Sequence, residues 1–122
     1  MAKILVIDDE QQMRLLLTRM LTREGHEVFI AQDGEEGVQS FHQFKPDLII
    51  TEIVMPNKDG LEVIMELLKL NSQFPIIAMS GDCSATTANF KLEIAETLGA
   101  KYVLLKPFTH QQLQEVVQLA LG

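Results

Sequence analysis

The chain has 122 residues, 47% of them hydrophobic, and a formal net charge of −7. That length supports one substantial core and leaves little room for a second, and the absence of any long apolar run excludes a transmembrane span. The acid excess argues against direct binding of nucleic acid, which needs clustered Lys and Arg, so any output on DNA requires a partner or a further domain.

Lys3-Ile4-Leu5-Val6-Ile7 is a continuous apolar run that ends at Asp8-Asp9. It follows Met1-Ala2 and is too short for a signal peptide, so the expected location is cytoplasmic. Met13, Leu16, Leu17, Met20 and Leu21 then recur at helical spacing, which predicts a helix closed by Gly25 with these side chains in the core. Asp33, with Glu36 three residues on, marks the capped start of a second helix whose inner stripe is Gly37, Val38 and Phe41, and Pro46 prevents its continuation. Leu48-Ile49-Ile50-Thr51 runs into Glu52. Leu61, Ile64, Met65 and Leu68 predict a third helix, and Pro75-Ile76-Ile77-Ala78-Met79 runs into Ser80.

A fourth helix is expected within residues 84–98, where Phe90, Ile94 and Leu98 share a face. Tyr102-Val103-Leu104-Leu105 ends at Lys106-Pro107, and Leu113, Val116, Val117 and Ala120 give the stripe of a fifth helix. Short, wholly apolar strands alternating with helices imply a parallel sheet covered on both faces: an α/β, doubly wound domain of five strands and five helices over residues 1–122. It is either a stand-alone domain or a segment ahead of an effector. Cys83 has no partner for an internal disulfide and reads as a spectator; His26, His42 and His110 are too scattered for a local metal motif.

The runs end in polar residues suited to phosphate and magnesium. Sheets of this kind bind ligands in the crevice beyond the carboxyl ends of their strands, so Asp8, Asp9, Glu52, Ser80 and Lys106 are expected to converge there. Three acids make an oxygen-rich site for a hard cation such as Mg²⁺. Lys106 brings an ammonium on a flexible stem, which can reach a phosphoryl oxygen or pair with Asp9 and Glu52 when the site is empty. Ser80 offers a small hydroxyl donor, with Gly81 leaving room beside it. Lys-Pro suggests a tight turn compatible with a cis bond.

Ile7-Asp8-Asp9-Glu10, Ile53-Val54-Met55-Pro56 with Asp59-Gly60, Met79-Ser80-Gly81 and Lys106-Pro107-Phe108 resemble the receiver domain of two-component response regulators, similar to the single-domain chemotaxis type. The resemblance spans essentially the whole chain. It implies a flavodoxin-like strand order 2-1-3-4-5. It also implies Mg²⁺ held by Asp8, Asp9, the acid at 52 and the Val54 carbonyl, with position 52 as phosphoacceptor, Ser80 as switch hydroxyl and Lys106 as phosphate-sensing amine. The implied partners are a sensor histidine kinase or phosphotransfer protein and a downstream effector, with no role for nucleic acid or membrane and no enzymatic turnover.

Three departures stand out. The family normally has aspartate where this chain has Glu52, which makes the domain acceptor-deficient or a partial phosphomimic. A last-strand aromatic usual in the family is replaced by Val103, with Tyr102 one residue earlier and so on the opposite face. Lys106 follows Ser80 by 26 positions, about one helical turn more than the family pattern. A natural pseudo-receiver acting only as a binding module is the alternative, although none of its other site residues is lost. A phosphatase with an aspartate nucleophile would need its two aspartates separated by one residue, and a flavin site would need a Ser-, Thr- or Gly-rich loop after the first strand.

Overall fold

A computed structural model describes residues 1–81 and 93–122. Cys83, Phe90 and the start of the expected fourth helix lie outside the described residues. The sheet has five parallel strands in the order β2-β1-β3-β4-β5. These are β1 (Lys3–Ile7), β2 (Glu27–Ala31), β3 (Leu48–Glu52), β4 (Ile76–Ser80) and β5 (Tyr102–Leu105). The helices are α1 (Gln11–Arg23), α2 (Gly34–Phe44), α3 (Gly60–Leu70), a segment α4 at residues 93–98, and α5 (His110–Leu121).

The three central strands explain their own composition. Every residue of β3 and β4, and all of β1 after Lys3, is buried, because helices cover both faces and leave no solvent side to select polar residues. Strand alternation sends Leu5, Ile7 and Ile49 into one core with α2 and α3, and Ile4, Val6 and Ile50 into another with α1 and α5. β2 lies at the edge, half exposed, and therefore lacks the uninterrupted apolar run of its neighbours.

Local chemistry fixes the helix starts. The carboxylates of Asp33 and Asp59 accept from the Glu36 and Glu62 amides, and Thr109 with Gln112 forms a reciprocal capping box. The periodicity overstated the core at two positions: Leu16 is 41% exposed and Met65 47%. Their helices bury narrower faces, centred on Leu17 and Leu21 in α1 and on Val63, Ile64 and Leu67 in α3. Tyr102 packs with α5 and donates its hydroxyl to the Leu119 carbonyl at 3.2 Å, while Val103 faces the opposite core, as the one-residue offset requires.

Candidate functional site

The sheet ladder continues past the strand ends and gathers the polar residues in one row. Asp8 N donates to Ala31 O at 3.1 Å, Ile53 N to Met79 O at 3.0 Å, and Lys106 N to Ser80 O at 2.9 Å. Glu52 pairs with Met79 and Ser80 with Leu105, so Asp8, Glu52, Ser80 and Lys106 stand side by side at the carboxyl edge. Gly60 allows α3 to begin against this edge: its amide donates to the Ile53 carbonyl at 2.7 Å, and a methyl there would collide with the Glu52 carbonyl oxygen. The Lys106–Pro107 peptide is cis.

Lys106 is the hub. Its ammonium donates to Asp8 Oδ2 at 2.8 Å and Glu52 Oε1 at 3.2 Å, and lies 3.6 Å from Glu10 Oε1. Asp8 is fully buried and Glu52 only 6% exposed. Glu52 is held from three sides: Oε1 also accepts from the Gly81 amide at 3.3 Å, and Oε2 from the Ile53 amide at 3.0 Å. Asp8 Oδ1 accepts from the Glu10 amide at 2.9 Å, and the Asp8 carbonyl accepts from Arg14 at 2.7 Å, which ties the first turn of α1 to the acid loop.

Burial raises the Glu52 pKa above its ordinary value, and Lys106 and the Ile53 amide only partly offset that. For Lys106, burial is also the largest influence and acts downward. The hydrogen bond to Asp8 and the charges of Glu52 and Asp8 outweigh it, so the ammonium is held above its ordinary value. Ser80 Oγ is buried without a hydrogen-bond partner among the described residues. An orphaned hydroxyl beside a set of anion donors leaves one donor unused.

Asp9 stands apart. It is exposed and forms no hydrogen bond or ion pair among the described residues, and Val54 is 44% exposed on the following loop. By kind, the carboxylates of Asp8, Asp9 and Glu52 match what a hard divalent cation takes. Among the described residues, however, no three acidic, His or Cys groups converge on one point. Lys106 bridges Asp8 and Glu52, and Asp9 does not join them. Sequence reasoning named the side chains but missed the Gly81 and Ile53 amides and the Arg14 contact. Backbone donors leave no sequence signal, although Gly81 next to Ser80 hinted at a close approach.

Gly81 also sets the lysine's direction, since a methyl at this position would lie 2.7 Å from Lys106 Cδ. Gly81→Ala should displace the stem, weaken the Glu52 contact and cost about 1–2 kcal/mol in denaturant unfolding. Unchanged stability would show that the stem is not confined there.

Three comparisons with known proteins extend the resemblance. The sequence model of the response regulator receiver domain matches residues 4–118. The chain is 35% identical over 119 residues to the alkaline phosphatase synthesis transcriptional regulatory protein PhoP of Bacillus subtilis, covering 98% of this chain and 48% of that regulator. It thus spans about half the length of that relative. It is 32% identical over 116 residues to the chemotaxis protein CheY of Thermotoga maritima, covering 94% of this chain and 93% of that protein. Among solved structures, a receiver domain protein from Clostridium thermocellum superposes with a TM-score of 0.87 at 31% identity, covering 99% of this chain and 94% of the other. The chain belongs to the response regulator receiver family and is a phosphorelay receiver domain. Members of that family are typically signalling modules rather than enzymes.

Proposed function

We propose that this domain is a cytoplasmic receiver with Glu52 at its phosphoacceptor position, and that the glutamate makes it acceptor-deficient and a partial phosphomimic. The observation that carries this reading is the Glu52 carboxylate itself, held by the Lys106 ammonium and the Gly81 and Ile53 amides while the neighbouring Ser80 hydroxyl has no partner among the described residues. These are donors suited to a phosphoryl group, and the glutamate's own oxygens use three of the four. With two oxygens and one negative charge, a carboxylate cannot engage the full set.

Asp8, Asp9 and Glu52 with the Val54 carbonyl would hold Mg²⁺, whose charge would neutralise the crowded carboxylates. In this chain the protein groups do the positioning: Lys106 orients Glu52, the Glu10 amide orients Asp8, and Ser80 and Gly81 offer donors to an anion. Mg²⁺ should raise the melting temperature, and Asp9→Ala should remove most of that rise. Equal melting temperatures in millimolar Mg²⁺ and in chelator would overturn the metal reading. Competition from Lys106 makes the expected gain modest.

The partners proposed are a sensor histidine kinase or phosphotransfer protein upstream and an effector protein or domain downstream. A two-state domain shifts only through contacts made better in one state, and the Glu52 contacts are a subset of a phosphoryl's. An effector should therefore bind this chain with affinity between those of unphosphorylated and phosphorylated Glu52→Asp. Titration of one effector against the three forms tests this, and affinity no greater than that of the unphosphorylated aspartate form would show the glutamate to be inert. The filled donor set also favours a second reading, a natural pseudo-receiver that binds partners independently of phosphorylation; wild-type-like output from a Glu52→Asp chain that cannot be labelled would favour it.

A further inference from the structure

α1 and α5 cover the same face of the sheet, and between them lies a cavity of about 170 Å³. Its floor is apolar: Leu21, Leu113 and Val117 are buried there, with Met20 and Leu121 beside them. An apolar space of roughly 150 Å³ accepts one benzene ring, so this one has room for a single ring with a short side chain.

The polar part of the wall is built around Glu24, the residue that caps the end of α1. Two side chains of α5 bracket its carboxylate: His110 Nε2 lies 3.0 Å from Oε1, and Gln114 Nε2 donates to Oε2 at 3.0 Å. A carboxylate has about four lone-pair sites, so each oxygen can accept a further bond without giving up its present partner. His26 also lines the cavity. Its Nδ1 accepts from the Ala2 amide at 3.1 Å, which assigns its proton to Nε2. Burial and the positive N-terminus hold its pKa below the ordinary value, so this part of the wall is uncharged at neutral pH.

Charge decides the sign of the ligand. Among the described residues Glu24 is the one Asp, Glu, Lys or Arg in the wall, and Arg23 beside it is exposed outside the cavity. The unpaired carbonyls at the end of α1 add partial negative charge at the same place. The chain as a whole carries −7, which concentrates cations near it and repels anions. We infer that the cavity between α1 and α5 binds a small organic cation, a primary amine carrying one apolar ring, with its ammonium on Glu24 and its ring against Met20, Leu113 and Val117. Neither Glu52 nor the receiver reading enters this inference. The occupant ties the end of α1 to the first turns of α5, a helix whose first residue, His110, follows Lys106 by four positions.

Three compounds of similar shape separate charge from apolar fit: phenethylamine, phenylacetate and ethylbenzene, each titrated into isotopically labelled protein at neutral pH. Phenethylamine should shift the amides of the α1 end and of α5 around Leu113 and Val117, and should bind at least about tenfold tighter than phenylacetate and tighter than ethylbenzene. Glu24→Gln should weaken phenethylamine at least about fivefold, an effect sized for a partly exposed charge. Met20→Trp fills the cavity while keeping Glu24 and should abolish saturable binding; Leu121→Trp, at the exposed end of α5, serves if that variant disturbs folding. Absence of saturable phenethylamine binding, shifts confined to another surface, or affinity unchanged by the substitutions would overturn the proposal. Binding of ethylbenzene or phenylacetate as tight as that of the amine would overturn it equally, since the site would then not select a cation.

Discussion

Incubated with acetyl phosphate and Mg²⁺, the chain should gain no stable phosphoryl group on residue 52, whereas Glu52→Asp should be labelled at a rate at least about 100-fold higher. The added methylene moves the carboxylate by about one bond length, on the order of 1.5 Å, where reacting groups tolerate roughly 0.5 Å. The site geometry adds a second reason. Glu52 reaches far enough to engage Gly81 N, a contact already long at 3.3 Å, and so occupies the donors that an incoming phosphoryl would need. Shortening the side chain should withdraw it from Gly81 and loosen its hold on Lys106, leaving both donors and Ser80 Oγ available. Intact-mass measurement of the two proteins decides the matter, and equal, rapid labelling would refute the argument.

The largest stability effect is expected at Lys106. Its side chain is 8% exposed, and among the described residues it is the one cation that pairs with Asp8 and Glu52, exposed by 0% and 8% at their side chains. Lys106→Met strands two buried carboxylates, and breaking a buried pair by removing one partner costs about 3–5 kcal/mol. That corresponds to a fall in melting temperature of roughly 10 °C or more for a domain of this size. The deficit should shrink on acidification. Glu52 has a folded-state pKa above its unfolded value, and removing Lys106 raises it further, so the folded variant binds the proton first and gains relative stability as pH falls through that raised value. Glu52→Gln in the Lys106→Met background should recover part of the loss at neutral pH by leaving only Asp8 unpaired. A melting temperature unchanged by Lys106→Met would refute the pairing.

Much of the architecture was legible because the strands that carry it are buried on both faces. β1 and β5 match the apolar runs residue for residue, β3 extends one residue further to Glu52, and β4 is shifted by one, starting after Pro75 and taking in Ser80. β2 was implied by the alternation rather than seen as a run, since Glu27 and Ile30 at the sheet edge are exposed. The acids, serine and lysine were legible as strand-end residues. Their order along the chain suggested that the amine pairs with two acids, Asp9 and Glu52, but could not tell which of the adjacent aspartates turns inward: the ammonium takes Asp8, and Asp9 is exposed. Nor did a helical stripe reveal how wide a face each helix buries, which is why Leu16 and Met65 emerged on the surface.

The two-sided burial of β1, β3 and β4 has a consequence for timescale. Amides in such strands exchange with solvent only when the whole domain opens, whereas loops and edge elements open on their own and far more often. Asp8, Glu52 and Ser80 are rooted in or directly beyond the slowest-exchanging part of the molecule. Lys106 and the loop after β3 stand just outside it. Any message leaving this site must therefore travel as a rearrangement of side chains and loops over a floor that stays fixed for the lifetime of the folded protein, and hydrogen exchange should find the floor silent while its rim responds.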